Sequence, residues 1–125
     1  MGGGRGGKMK SHRNLVIWQR SMDLVRCIYD QTRKLPQEEK YGLFQQIRRA
    51  AVSVPSNIAE GYARGTTKEF IRFLKIANGS LAELETQSIL ASEEGWFDSS
   101  MIENIEGVEK MLHASIKTLQ GKIHE

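Results

Sequence analysis

Little in this sequence serves covalent, metal or membrane chemistry. Cys27 is the only cysteine, so no internal disulfide can form, and a lone thiol fits a reducing compartment. The histidines, His12, His113 and His124, sit near a terminus or alone in a late segment, and no Glu-x-x-His motif accompanies them. Di-metal carboxylate bundles carry that motif on two helices, and one cysteine cannot build a zinc site, so no metal or other cofactor is expected. Apolar runs stop short of the roughly 18–20 residues of a membrane span, and no signal-peptide pattern opens the chain. Phosphate-binding loops are missing as well: "GGGRGG" follows no strand and lacks the Walker spacing. Alternating Val/Ile/Thr runs, the mark of strands, are scarce. These absences lead away from an enzyme and a membrane protein, and towards a non-enzymatic cytoplasmic protein.

What is present is helical. With 39% hydrophobic and 26% charged residues over 125 positions, the chain suffices for one domain with a real core. The opening "MGGGRGGKMK" is glycine-rich and basic, and residues 1–12 read as a flexible segment. It is either an RGG-like arm that touches RNA or a remnant ahead of a natural start at Met9. Residues 13–125 read as a single four-helix domain.

Four apolar stripes define the helices. The first helix spans residues 15–34, with Asn14 as its N-cap, Pro36 as its stop, and Trp18, Met22, Val25, Ile28 and Tyr29 as its stripe. The second spans residues 38 to 62 or 63, where Phe44, Ile47, Ala51, Val54 and Ile58 step by three and four. Pro55 lies within that stripe, where a missing N–H and a ring clash predict a kink. Gly65 closes this helix, and Thr66 with Glu69 makes a capping box for the third, residues 67–94. Its stripe is Phe70, Leu74, Ala77, Leu81, Leu84, Ser88 and Ala91, and mid-helix Gly79 predicts a close backbone approach. Gly95 and Trp96 form a Schellman-type end. A second capping box, Ser100 with Glu103, opens the fourth helix, whose face is Ile105, Val108, Leu112, Ile116, Leu119 and Ile123. Short connections between such helices give an all-α, antiparallel up-down-up-down four-helix bundle.

Two polar rows run beside these stripes. Gln46, Ala50, Ser53, Asn57, Glu60 and Arg64 share one strip of the second helix; Glu69, Phe73, Ile76, Ser80, Glu83 and Gln87 share one of the third. In a hairpin turning near Thr66, Glu60 is expected to meet Arg72, Arg49 to meet Glu83, and Ser53 to lie opposite Gly79. The expectation is a structural seam of Ser53, Asn57, Glu60, Arg72, Gly79, Ser80 and Glu83 that sets register between helices or between subunits. Charge is uneven: the first 34 residues are rich in arginine and lysine, while the last two helices are slightly acidic. Arg13, Arg20, Arg26, Arg33, Arg48, Arg49 and Arg64 are the candidates for contact with an anionic partner.

"KSHRNLVIWQRSMDLV", "YGLFQQIRRAAVSVPSNIAEGYAR" and "EFIRFLKIANGSLAELETQ" together resemble the four-helix-bundle family encoded within intervening sequences of bacterial large-subunit ribosomal RNA genes. The pairing of NIAEG with a following IANGSLAELET is specific to it. The resemblance implies a bacterial cytoplasmic protein and a homopentamer around a central channel. A related branch holds the accessory variability protein of diversity-generating retroelements, which works with a reverse transcriptase and nucleic acid. The implied function is a non-enzymatic ring that associates with RNA or a ribonucleoprotein through basic residues; the alternative is a protein-interaction adaptor without direct nucleic-acid binding.

Overall fold

Side chains spaced three and four apart meet in one apolar core, drawn from four long helices. The computed structural model describes residues 11–35 and 42–123. A 3-10 turn, His12–Asn14, precedes α1 (Val16–Arg33), α2 (Leu43–Ala63), α3 (Thr67–Glu93) and α4 (Ser99–Ile123). Each helix packs on its two neighbours in a square, most closely α2 on α3 and least closely α1 on α4, with no close backbone approach across the diagonals among the described residues. This is the all-α four-helix bundle, each helix running against the last. Of the expected flexible segment, residues 1–12, only Ser11 and His12 are described, before and in the 3-10 turn; residues 1–10, and the Pro36 stop with the start of the second helix at residues 36–41, lie outside the described residues.

α1 corrects the expected stripe. Its buried residues are Ile17, Ser21, Leu24, Ile28 and Thr32, one position round from the row of larger side chains. The reason is polar: Ser21 Oγ donates to the Trp18 carbonyl at 2.9 Å, and Thr32 Oγ1 to the Ile28 carbonyl at 2.9 Å. Each hydroxyl is satisfied within its own helix, so it costs little at the core. Trp18 and Val25 pack on the core's margin, with His12 edge-on to the Trp18 ring at 5.1 Å. Asn14 is not the N-cap. It lies in the 3-10 turn, which Ser11 caps by accepting from the Arg13 N–H at 2.9 Å.

The other stripes bury over most of their length, but Phe70 and Leu119 are half-buried, and Ile123, expected on the α4 face, is 44% exposed at the helix end. Phe44, Ile47, Ala51, Val54 and Ile58 are all buried in α2, which continues as helix through buried Pro55. Gly65, at φ +89°, ends it. Thr66 Oγ1 accepts from the Glu69 N–H at 3.2 Å, but the Glu69 carboxylate turns to Arg72 and leaves the capping box half made. α3 ends in a Schellman motif: Trp96 N–H reaches the Ala91 carbonyl at 2.9 Å, Gly95 N–H reaches Ser92 at 3.0 Å, and Gly95 has φ +81°. The Trp96 ring then sits edge-on to Phe44 at 5.3 Å. At α4 it is Asp98, not Ser100, that caps, its Oδ1 accepting from the Ser100 N–H at 2.9 Å.

The glycine that permits close helix approach is Gly61, not Gly79. A Cβ on Gly61 would lie 2.5 Å from Phe73 Cβ, whereas one on Gly79 would meet nothing within 4 Å. The hairpin therefore closes most tightly near its turn.

Candidate functional site: a serine seam and an arginine face

Along the α2–α3 hairpin the polar row resolves into a short hydrogen-bonded chain. Ser53 Oγ and Ser80 Oγ bond to each other across the helices. Asn57 Nδ2 donates to the Ser53 carbonyl at 2.8 Å and to Ser53 Oγ at 3.3 Å. Ser53 thus lies opposite Ser80, one residue from the expected Gly79. The small hydroxyls sit at the half-buried edge where the helices approach, so each finds the other before it finds water.

The charged members of the row behave differently. Glu60 takes Arg64 as partner at 3.0 Å, and Arg72 takes Glu69 at 3.2 Å, in place of the expected Glu60–Arg72 pair. Arg49 and Glu83 line one groove with Gln46, Ala50, Ser53 and Gln87, about 410 Å³ in volume, and form no ion pair among the described residues. Glu60 and Glu83 are exposed and Asn57 bonds within its own helix, so the expected cross-hairpin partners account for none of the three; Ser53 and Ser80 are the members of the row joined across the hairpin. Long side chains at the outer edge reach a partner three or four residues along their own helix more easily than one across the hairpin. Such exposed pairs add little stability. Gln87, which lines the same groove, has its Oε1 buried without a hydrogen-bond partner among the described residues.

The arginine candidates divide by place. Arg26 pairs with Asp23 at 3.0 Å and Arg33 with Asp30, both on α1. They flank a surface groove of about 480 Å³ with Val25, Tyr29 and Asp30. Arg48 crosses from α2 to the same place: its Nε donates to Thr32 Oγ1 at 2.7 Å and its guanidinium lies over the Tyr29 ring at 4.5 Å. One guanidinium therefore covers the Tyr29 ring, and two more line the groove that the ring shares. That bond to Thr32 uses one of five donors and fixes the fork, leaving the others to face an anion. Arg13, Arg20 and Arg49 are exposed and make no ion pair among the described residues. Arg64 sits at the far end of α2, where it and Arg72 both lie over Phe73, at 5.0 and 4.6 Å.

Two features escaped the sequence reasoning. Tyr29 was expected in the core stripe, yet it is half-buried beneath Arg48. The heptad spacing of Arg26 and Arg33 was a usable signal; the reach of Arg48 from another helix was not. Glu109 on α4 is the second: burial first, then the charge of Glu85 on α3, raises its pKa from 4.5 to about 7. No metal-holding group of three or more His, Cys, Asp or Glu occurs among the described residues. Cys27 is exposed on α1.

The model of the 23S rRNA-intervening sequence protein family matches residues 13–114, which takes in the arginine face and the serine seam. The chain belongs to that family. Among solved structures, the chain is similar to a protein of unknown function from the S23 ribosomal protein family of Bacteroides thetaiotaomicron. The two share 24% identity, over 82% of this chain and 96% of the other, with a TM-score of 0.74. At that identity the likeness concerns the fold. No curated protein matches the chain. No helix among the described residues is long and apolar enough to cross a membrane.

Proposed function

We propose that this chain is a non-enzymatic, ring-forming bundle of the bacterial cytoplasm, a homopentamer, that associates with RNA or a ribonucleoprotein through its arginines. A ribonucleoprotein that includes a reverse transcriptase is one such partner. The observation that carries this reading is the cluster of Arg26, Arg33 and Arg48 about Tyr29 on the α1–α2 face. Guanidinium groups give phosphate contacts, and an aromatic ring among them suits an unstacked base. Arg13, Arg20, Arg49 and Arg64 add charge elsewhere on the bundle. Binding of this kind is salt-dependent and reads sequence poorly.

The test is affinity for a single-stranded RNA as a function of salt. Substituting Arg26→Gln and Arg33→Gln together should lower the slope of log affinity against log salt by about 1.4, two contacts at about 0.7 each. An unchanged slope would remove these two arginines from the interface.

The protein-interaction adaptor is favoured by one observation: Arg26 and Arg33 are already paired with Asp23 and Asp30, which lowers the net charge of the face. Co-purification from cells, with and without nuclease, separates the readings. Partners lost on nuclease treatment support RNA; partners retained support the adaptor.

A further inference from the structure

α3 carries more than one heptad stripe. Outside the core stripe, Ile76, Ser80, Glu83, Gln87 and Leu90 advance by fours and threes along one strip of the helix. Two of its members are large apolar side chains left in water, Ile76 at 43% and Leu90 at 49% exposure, placed seven residues either side of Glu83. Between them lies the groove shared with α2, lined by Glu83 and Gln87 and, from α2, by Gln46, Arg49 and Ser53. A 3-4 repeat with apolar ends and a single charge at its centre is the pattern of a helix that packs on another helix and fixes its register.

The opposite side of the bundle holds a complement. Val16, 58% exposed, flanks an apolar groove of about 380 Å³ between α1 and α4, lined also by Ala114 and Thr118. One turn along α1 stands Arg20, exposed and without an ion pair among the described residues. Apolar surface beside the Arg20 cation here answers apolar surface beside the Glu83 carboxylate there, which shares its groove with Arg49 but forms no ion pair with it. α1 and α3 occupy diagonal corners, so the α2–α3 side and the α1–α4 side face away from each other. Two different faces on opposite sides of one subunit make a head-to-tail contact, the kind that generates a ring when its rotation closes.

We infer that the Ile76–Glu83–Leu90 strip of one copy packs against the Val16–Arg20 side of a second copy, with Glu83 meeting Arg20 of the partner. This rests on the ring-forming reading and names its interface. It leaves the Arg26–Arg33–Arg48 face, on the other flank of α1, open to RNA.

The experiment is mass in solution by light scattering, for the wild type, Glu83→Arg, Leu90→Glu, the Glu83→Arg/Arg20→Glu double variant, and Ile89→Glu as a control on a different strip of α3. Circular dichroism checks that each is folded. The wild type and Ile89→Glu should be oligomers, Glu83→Arg and Leu90→Glu monomers, and the double variant an oligomer again. A monomeric wild type would overturn the ring and this interface together. An oligomeric wild type whose mass survives both Glu83→Arg and Leu90→Glu would overturn the interface alone. Failure of the double variant to reassemble would overturn the pairing with Arg20. Should the single variants not fold, carbodiimide labelling of the wild type decides: Glu83 should react several-fold more slowly than exposed Glu103 on α4, and equal rates would overturn the interface.

Discussion

Glu109 illustrates how one side chain can set a property of the whole bundle. Its folded-state pKa, raised to about 7 by burial and by Glu85 and Glu106, lies above the ordinary 4.5. The folded chain therefore holds a proton more tightly than the unfolded chain. That stabilising contribution is complete below about pH 4.5 and is lost as pH rises through 7. Glu109→Gln should accordingly be more stable than the wild type at pH 8, by about 1 kcal/mol once solvent screening is allowed for. The gap should close below pH 5, and urea titrations at both pH values check it. A variant equally destabilised at both would contradict this sign. At the same scale lies the limit of reading polarity from sequence. Ser21 and Thr32 bury because each hydroxyl bonds its own helix. Residue type alone gives no hint of that bond, and so the α1 stripe was placed one position out.

Between elements, the α2–α3 hairpin is the closest-packed seam, and Gly61 is what permits it. Gly61→Ala would set a Cβ 2.5 Å from Phe73 Cβ, an atom held close to the backbone and unable to swing away. The helices must part, and a loss of about 1–3 kcal/mol is expected, read as a lower denaturant midpoint. Gly79→Ala, by contrast, meets nothing and removes a helix-interior glycine, so it should stabilise by up to about 1 kcal/mol. Equal effects at the two positions would contradict this account of the seam. At this scale most of the architecture was legible. The stripes of α2 and α3, and that of α4 apart from exposed Ile123, follow from spacing, and Gly65, Thr66, Gly95 and Trp96 marked the turns correctly because positive φ and caps demand particular residues. The hairpin register was also readable to one residue, with Ser53 bonded to Ser80. The proposed ion pairs were not, since Glu60 and Arg72 each have a nearer partner in their own helix. Distance from the turn says which residues are level; it does not say which of several reachable charges a flexible side chain will choose.

For the whole molecule, the bundle separates its surfaces. One flank of α1 with α2 gathers arginines about Tyr29, and the outer strip of α3 leaves Ile76 and Leu90 in water. The arginine face was only partly legible: Arg26 and Arg33 share a flank by spacing, but their gathering with Arg48 about Tyr29 depends on packing between helices. On the proposed ring this face would recur in every subunit, and a long RNA would then meet several copies at once. The most direct test of the account is the affinity of the assembled wild type for single-stranded RNA between about 50 and 200 mM salt. The account predicts a steep, linear fall of log affinity with log salt, made shallower by Arg26→Gln with Arg33→Gln. Affinity that stays flat across that range, or no binding even at the lowest salt, would contradict it.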